Sequence, residues 1–400
     1  MRQGTTERVP DPASLWREGL EAASRERVRE VIEEILHEEV EEALGARRSQ
    51  RVVGRCGYRH GTKARGLALR SGAVKLAVPR GRLISSDGDE REWRSRLLPR
   101  YRRSSPEVEQ AVLGVYLSGG NTRRIRGALK PLLSGAPLSK SAVSRLVNRL
   151  EESYERWRQR DLAEERIVHL YLDAIYPKVR SAGKVVSLPV RVALGVKATG
   201  EKILLALAIA GAETGAAWQG VLEDLAARHL GGPRLVISDG NPGLKSALER
   251  IWSGVAHQRC TVHKLRNLLA KAPEHAQEAV HEDYNRIVYA ANRAAAERAR
   301  ENFRTKWRKP CPSVAASLEE AGEELLTFYG FPASQHKSLR TTNAIERLQE
   351  EFRRRVKTQA SLPSEKAALL LFFGLFASGQ VKMRRIEGWF DLAAVAAVAA

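Results

Sequence analysis

Three carboxylates stand where an acidic side chain needs a reason. Asp173 falls in the second half of an apolar run, Arg166–Tyr176 (RIVHLYLDAIY). A carboxylate in a buried strand is costly unless it is paired, protonated or bound to a cation. Asp239 follows the apolar residues Leu235, Val236 and Ile237, at the turn where a strand gives way to the helical pattern of PGLKSALERI. Such a turn sits at the carboxyl edge of a sheet, where open α/β folds keep polar ligands, although Asp-Gly alone favours a turn or helix-capping aspartate. Glu346 lies in TTNAIERLQEEFRRR, in the first turn of a helix capped by Thr342 or Asn343 and one residue from the apolar stripe Ile345, Leu348 and Phe352. Alone it is an acid favoured by the helix dipole. Glu350 and Glu351, a turn further on, read as solvated. Two adjacent carboxylates without a basic partner repel, and a divalent cation relieves the repulsion. Oxygen ligands suit Mg²⁺ or Mn²⁺ rather than zinc. With a third carboxylate such a pair could hold ions that activate a water or hydroxyl in phosphodiester chemistry.

The elements that must position these groups follow in the order β-β-β-α-β-α: strands over Arg166–Tyr176, Ser187–Ala198 and Lys202–Ala210, a helix over Thr214–His229, then the strand before Asp239. That order predicts an α/β, ribonuclease-H-like catalytic core. Its first and fourth strands lie side by side, so Asp173 and Asp239 face each other although far apart in sequence. A further strand near Val255–Gln258 leads to a helix carrying Cys260, His263 and Arg266. Cys260-x-x-His263 offers only two close ligands and Cys311 has no nearby partner, so packing beside the cleft, with His263 touching DNA or the carboxylates, is preferred to zinc. Arg353, Arg354 and Arg355 suit a DNA backbone beside the cleft, and Arg266 is a further candidate contact. The core is divided into 161–272 and 339–390, with a helical insertion over 273–338 and a tail at 391–400.

The preceding residues read as a mostly α-helical N-terminal DNA-binding region. Residues 1–46 form an amphipathic helix with an acidic face, suited equally to packing within the chain and to dimerisation. Residues 47–105 are rich in Gly and Arg, with a β-hairpin around Ala73–Val78, and suit phosphate-backbone contact. Residues 106–160 hold three helical segments (Glu107–Tyr116, Asn121–Lys130 and Ser139–Leu150) followed by a charged helical linker. The layout is that of a helix-turn-helix whose last helix offers Lys140, Ser144, Arg145 and Arg149 to a groove, against the plainer reading of a three-helix bundle with a basic face.

The 400 residues carry 67 Lys+Arg against 47 Asp+Glu, a net charge of +20. An excess of that size favours a polyanionic partner through counterion release, although ribosomal-type or membrane-surface binding would give the same figure. Three scattered cysteines make no disulfide framework, and there is neither an apolar signal region nor a run long enough to cross a bilayer. A soluble, reducing, cytoplasmic setting is expected.

Together the motifs resemble the bacterial Mutator-like insertion-sequence transposases. The resemblance runs from GYRHGTKARGLALRSGAVKLAVPR, near residue 57, to about residue 376, and is most specific in YLDAIYPKVR, ISDGNPGLKSAL, QRCTVHKLRN and TTNAIERLQEEFRRR. It implies a DDE transposase in which Asp173, Asp239 and Glu346 match the family's catalytic and metal-binding triad. The implied reaction cleaves DNA at terminal inverted repeats and joins the freed 3′ hydroxyl to target DNA. It also implies a dimer or higher assembly near the bacterial nucleoid, with Arg293, Arg298 and Trp307 of the insertion directed towards transposon-end DNA. Cys260-x-x-His263 matches a C-x-x-H element of the family. The chain departs from the family pattern at Asn241, His257 and Pro177. Two rivals share parts of this reading: a ribonuclease-H-like, structure-specific nuclease without strand transfer, and a transposase-derived DNA-binding protein that no longer cleaves. The intact triad weighs against the second.

Overall fold

The computed structural model describes residues 12–118, 125, 128–129, 140–209, 215–357 and 361–397. The chain divides into two compact units, Met1–Asn148 and Arg149–Ala400.

In the first unit a long helix, α1 (Pro12–Leu44), precedes a hairpin of β1 (Gly57–Leu69) and β2 (Gly72–Ile84), edged by the short β3 (Glu90–Glu92). The hairpin is far longer than the six residues that signalled it. Its second strand alternates buried and exposed residues, as a sheet with one covered face must. Val74 and Leu76 point inward with Leu67, Trp93 and Leu98, against Leu36, Val40 and Leu44 of α1. The C-terminal half of α1 therefore packs within the chain. Part of its acidic face is bonded to the hairpin: the Glu33 carboxylate accepts from the Ala77 N–H at 2.7 Å and Glu41 pairs with Arg59 at 3.0 Å. Trp16 and Leu20, in the first half, are exposed.

Helix α2 (Pro106–Leu117) starts at Ser105, whose hydroxyl accepts from the Val108 N–H. Helix α3 (Lys140–Arg158) absorbs much of the expected linker. Val108 and Val112 share a core with Ile125, Leu129 and Val143. The middle helix expected at Asn121–Lys130 falls mostly outside the described residues, so the helix-turn-helix geometry does too.

The second unit is built on a five-stranded mixed sheet of β4 (Ile167–Ile175), β7 (Val190–Lys197), β8 (Lys202–Ile209), β9 (Leu235–Ser238) and β10 (Ala256–Arg259), in the spatial order β10-β9-β4-β7-β8. Strands β4, β7 and β8 form an antiparallel meander, and β9 and β10 add parallel to β4. A separate hairpin, β5 (Lys178–Ser181) with β6 (Lys184–Ser187), was not anticipated. Helices α4 (Gly215–Ala227) and α5 (Pro242–Ile251) cover one face, burying Leu170 and Leu172 of β4 with Trp218, Leu222, Leu244 and Leu248.

After β10 come α6 (Thr261–Lys271), α7 (Gln277–Val288), α8 (Arg293–Trp307) and α9 (Pro312–Glu320), which enclose their own core around Tyr284, Ile287, Phe303, Val314 and Leu318. The chain returns to the sheet through the single turn α10 (His336–Leu339) and α11 (Asn343–Lys357). It then continues into α12 (Glu365–Ala377) and ends in the short α13 (Leu392–Ala397). The alternate residues of β4 face this returning segment: His169 bonds Gln335 at 3.1 Å and Tyr171 donates to the Ser338 carbonyl at 3.0 Å. Among the described residues no helix is long and apolar enough to cross a membrane.

Candidate active site

The site begins at the carboxyl ends of β4 and β9. The parallel pairs His169–Leu235, Leu170–Val236 and Tyr171–Ile237 are each offset by 66 residues, the interval that also separates Asp173 from Asp239. Continued by two residues, the register sets the two aspartates level at neighbouring strand ends, about 5 Å apart along the sheet. Asp173 is buried, and Asp239 is half-buried just beyond its strand. The helix cap at this turn is Asn241, whose side chain accepts from the Gly243 N–H at 3.0 Å. That leaves Asp239 one backbone bond, from the Asn241 N–H at 3.2 Å, and removes the bland reading of Asp239 as the cap.

Helix α11 lies across these strand ends. The Thr342 N–H and hydroxyl reach the Cys260 sulfur, at 3.4 and 3.5 Å, just past β10. The Thr261 N–H donates to the Arg340 carbonyl at 2.9 Å, fixing the same corner. Seven residues on, the Gln349 amide donates to the Asp173 carboxylate at 3.0 Å. Seven helical residues rise about 10 Å, and the two strand spacings from β10 to β4 also come to about 10 Å. The helix thus starts over β10 and reaches β4, and β9 lies between them. Glu346, midway and half-buried, shares the side of the helix that carries Gln349, one turn away. The helix that carries Glu346 thus crosses the same end of the sheet as the two aspartates.

The electrostatics follow from this placement. Burial pushes the Asp173 carboxyl up; the charge of His263 and the bonds from the Ala174 N–H and Gln349 oppose this, and the Asp239 charge adds to it. The Cys260 thiol beside it pushes the His263 imidazole up to about 9; burial opposes, and the charges of Asp173 and Asp239 assist. Burial would raise the Cys260 thiol, but His263 outweighs it and the net direction is down. The aspartates therefore have a basic neighbour in His263. Cys260 meets the start of α11 through Thr342, and His263 lies within electrostatic reach of both aspartates. Among the described residues no three of His, Cys, Asp and Glu stand at metal-holding separation. The donor chemistry nevertheless fits a hard divalent cation: two level aspartates, one of them desolvated, and a nearby glutamate offer oxygen ligands.

Gln349 is the residue that sequence reasoning missed. It is buried, and its amide oxygen accepts from Arg353 at 3.2 Å while its nitrogen serves Asp173. The signal available was its spacing of three from Glu346. The arginine run divides. Arg353 turns towards the cleft, whereas Arg354 and Arg355 pair with Glu351 at 3.0 and 2.8 Å, so Glu351 is no solvated bystander. Arg266 is exposed on α6. In α3, Ser144 and Arg145 of the first unit and Arg149 of the second are exposed, and Lys140 is described in its backbone only. One expectation for the insertion is corrected: Trp307 is buried and donates to Asp283 at 3.0 Å. Arg293 is exposed and pairs with Glu297 and Glu323. Arg298 is exposed.

A family model described as "Transposase, Mutator family" matches residues 6–383. The transposase for insertion sequence element ISRM5 of Rhizobium meliloti (strain 1021) is 35% identical over 351 residues, covering 87% of this chain and 85% of that one. The transposase for IS406 of Burkholderia multivorans (strain ATCC 17616 / 249) is 35% identical over 367 residues, covering 91% and 92%. A solved structure, the Drosophila P element transposase strand transfer complex, is similar at a TM-score of 0.28 and 10% identity over 72% of this chain and 83% of that one, a likeness too slight to bear on the fold.

Proposed function

The chain belongs to the Mutator family of transposases, and from that premise we propose that its second unit is a ribonuclease-H-like DDE core that cuts and joins DNA. The supporting observation is the shared register of β4 and β9, which levels Asp173 with Asp239 at neighbouring strand ends. Glu346 is the third acid, carried by a helix anchored at Cys260 and at Asp173. The strand order β10-β9-β4-β7-β8 is the order that such a core requires.

In this reading Asp173, Asp239 and Glu346 would hold the divalent cation. Mg²⁺ or Mn²⁺ bound there would activate the attacking oxygen and neutralise the leaving one. The chain's own part is positioning and charge balance. Gln349 fixes the rotamer of Asp173, and the His263 cation limits the repulsion between the aspartates before DNA arrives. Water first cleaves the phosphodiester at the element's end, leaving a 3′ hydroxyl. That hydroxyl then attacks a phosphorus of target DNA, whose own 3′ oxygen departs. Terminal inverted repeats are bound by the basic first unit and by α3, and the two ends are brought together in a dimer or larger assembly.

The test is nicking of a duplex carrying one end of the encoding element, with Mg²⁺, Mn²⁺ or EDTA, comparing the intact protein with Asp239→Ala. The expected result is metal-dependent nicking that falls on the order of 10³-fold or more in the variant, with DNA binding retained. Equal nicking by both proteins would remove Asp239 from the mechanism. Binding without nicking by either would favour the non-cleaving rival, and nicking without strand transfer on paired ends would favour the nuclease.

A further inference from the structure

Immediately beyond Asp173, where β4 ends and α11 passes over it, the second unit has a cleft of about 450 Å³. Its floor is apolar, with Phe352 and Phe372 fully buried beneath it and stacked on each other, centroids 3.9 Å apart and planes 20° apart. Its mouth is basic. Lys178, Arg353 and Lys357 are all exposed, Tyr176 stands beside them half out in solvent, and no acidic residue lines the cleft.

This pairing of surfaces is selective. An apolar floor with the half-exposed Tyr176 ring at its rim favours a flat, weakly polar group, and three cations around the opening favour an occupant whose attachments are anionic. A free aliphatic ligand would leave the cations unmatched. A paired duplex would present only phosphates and leave the floor dry. A single nucleobase turned out of its strand satisfies both, with its face against Tyr176 and its flanking phosphates at Lys178, Arg353 and Lys357. The volume lies within the range of about 300–1,000 Å³ usual for small-ligand sites. The lining residues Ala174 and Ile175, which end β4, and Tyr176 follow Asp173 directly. At roughly 3.3 Å per residue they place the cleft about 10 Å or less from that carboxylate, a distance spanned by one to three nucleotides.

We propose that this cleft seats one unpaired nucleobase of the DNA strand beside the cleaved phosphate, holding the strand so that the phosphate meets Asp173. The proposal rests on the cleavage function assigned to the site. It also explains a link that cleavage alone does not require: Arg353, at the mouth, donates to Gln349, which in turn donates to Asp173. Filling the mouth with a phosphate would pull on the carboxylate's own support.

The experiment uses the full chain and end duplexes carrying 2-aminopurine at each of the six positions around the cleaved phosphate, with metal-dependent nicking followed in parallel. A severalfold fluorescence change on binding is expected at one position, within about three nucleotides of the cut. Val356→Trp, which fills the cleft, and Tyr176→Ala, which opens its rim, should each abolish that change and slow nicking about 10-fold or more. An abasic nucleotide at the same position should restore nicking to Val356→Trp. Nicking with no position-specific change, or nicking unaffected by both variants, overturns the base seat and leaves the cleavage reading standing. A position-specific change without metal-dependent nicking supports the seat and overturns the cleavage reading. Absence of both signals overturns both.

Discussion

Gln349 carries a role that its identity does not advertise. In the sequence it is one polar residue among several on a charged helix, and glutamines on helices are mostly solvated. Only the fold places its amide against Asp173, and only one orientation works: nitrogen to the carboxylate, oxygen to Arg353. Asp173 was legible for the opposite reason, because a carboxylate inside RIVHLYLDAIY is conspicuous wherever the strand is buried. Residues that tune a site lack that contrast. Supporting hydrogen bonds to a ligand carboxylate are typically worth about 10–100-fold in metal affinity or activity. Gln349→Ala should therefore lower metal-dependent nicking by about that factor and raise the Mg²⁺ concentration needed for half-maximal rate, with DNA affinity unchanged. Gln349→Glu adds a fourth negative charge and should be worse than alanine at low Mg²⁺. A variant indistinguishable from wild type in both rate and Mg²⁺ response would leave Gln349 as mere packing.

At the scale of elements, the strands around the site were readable from apolar runs, and the pairing of the first with the fourth followed from their order. The β5–β6 hairpin was not readable: Lys178–Ser181 and Lys184–Ser187 are four residues each and mostly exposed, too short for a periodic pattern to emerge. The docking of the returning segment onto β4 was also invisible, since it depends on His169 bonding Gln335 across 166 residues. That contact has a measurable signature. Burial lowers the His169 imidazole to about 4, and the bond to Gln335 only partly opposes it. The folded chain thus keeps His169 neutral where the unfolded chain, with a histidine near 6.5, takes up a proton. Stability from this group is intact above that value and is lost as pH falls below it. The loss should reach about 2 kcal/mol between pH ~6.5 and ~5, at ~1.4 kcal/mol per unit. Urea unfolding across that window should show a steeper decline for the intact protein than for His169→Gln. Parallel declines would mean that His169 is not held neutral.

At the scale of the whole molecule, charge and chemistry are separated along the chain. Residues 47–148 contain 23 Lys+Arg against 6 Asp+Glu, and so hold most of the +20 excess, whereas the three candidate acids all lie beyond Arg149, in the second unit. The composition favoured a polyanionic partner but did not show this division, because a single net charge averages an acidic α1, a basic middle and a mixed core. The division has kinetic consequences. Charges that gather DNA act on the free protein and its complex alike, so weakening them raises the DNA concentration needed without altering the bound rate, while losing a cleft acid does the reverse. Raising salt from about 50 to about 200 mM should therefore cut affinity for an end duplex by on the order of 10³-fold or more, yet leave the nicking rate at saturating DNA nearly constant. Arg145→Ala, on the exposed side of α3, should reduce the slope of log affinity against log salt by about 1 if it meets a phosphate. If it reads a base instead, the slope should hold while preference for the element's end over random DNA falls. Asp239→Ala should leave slope and preference alone and abolish the rate. A salt response that collapses the saturated rate along with the affinity would show that the basic stretch and the acids act as one apparatus, and would undo the separation.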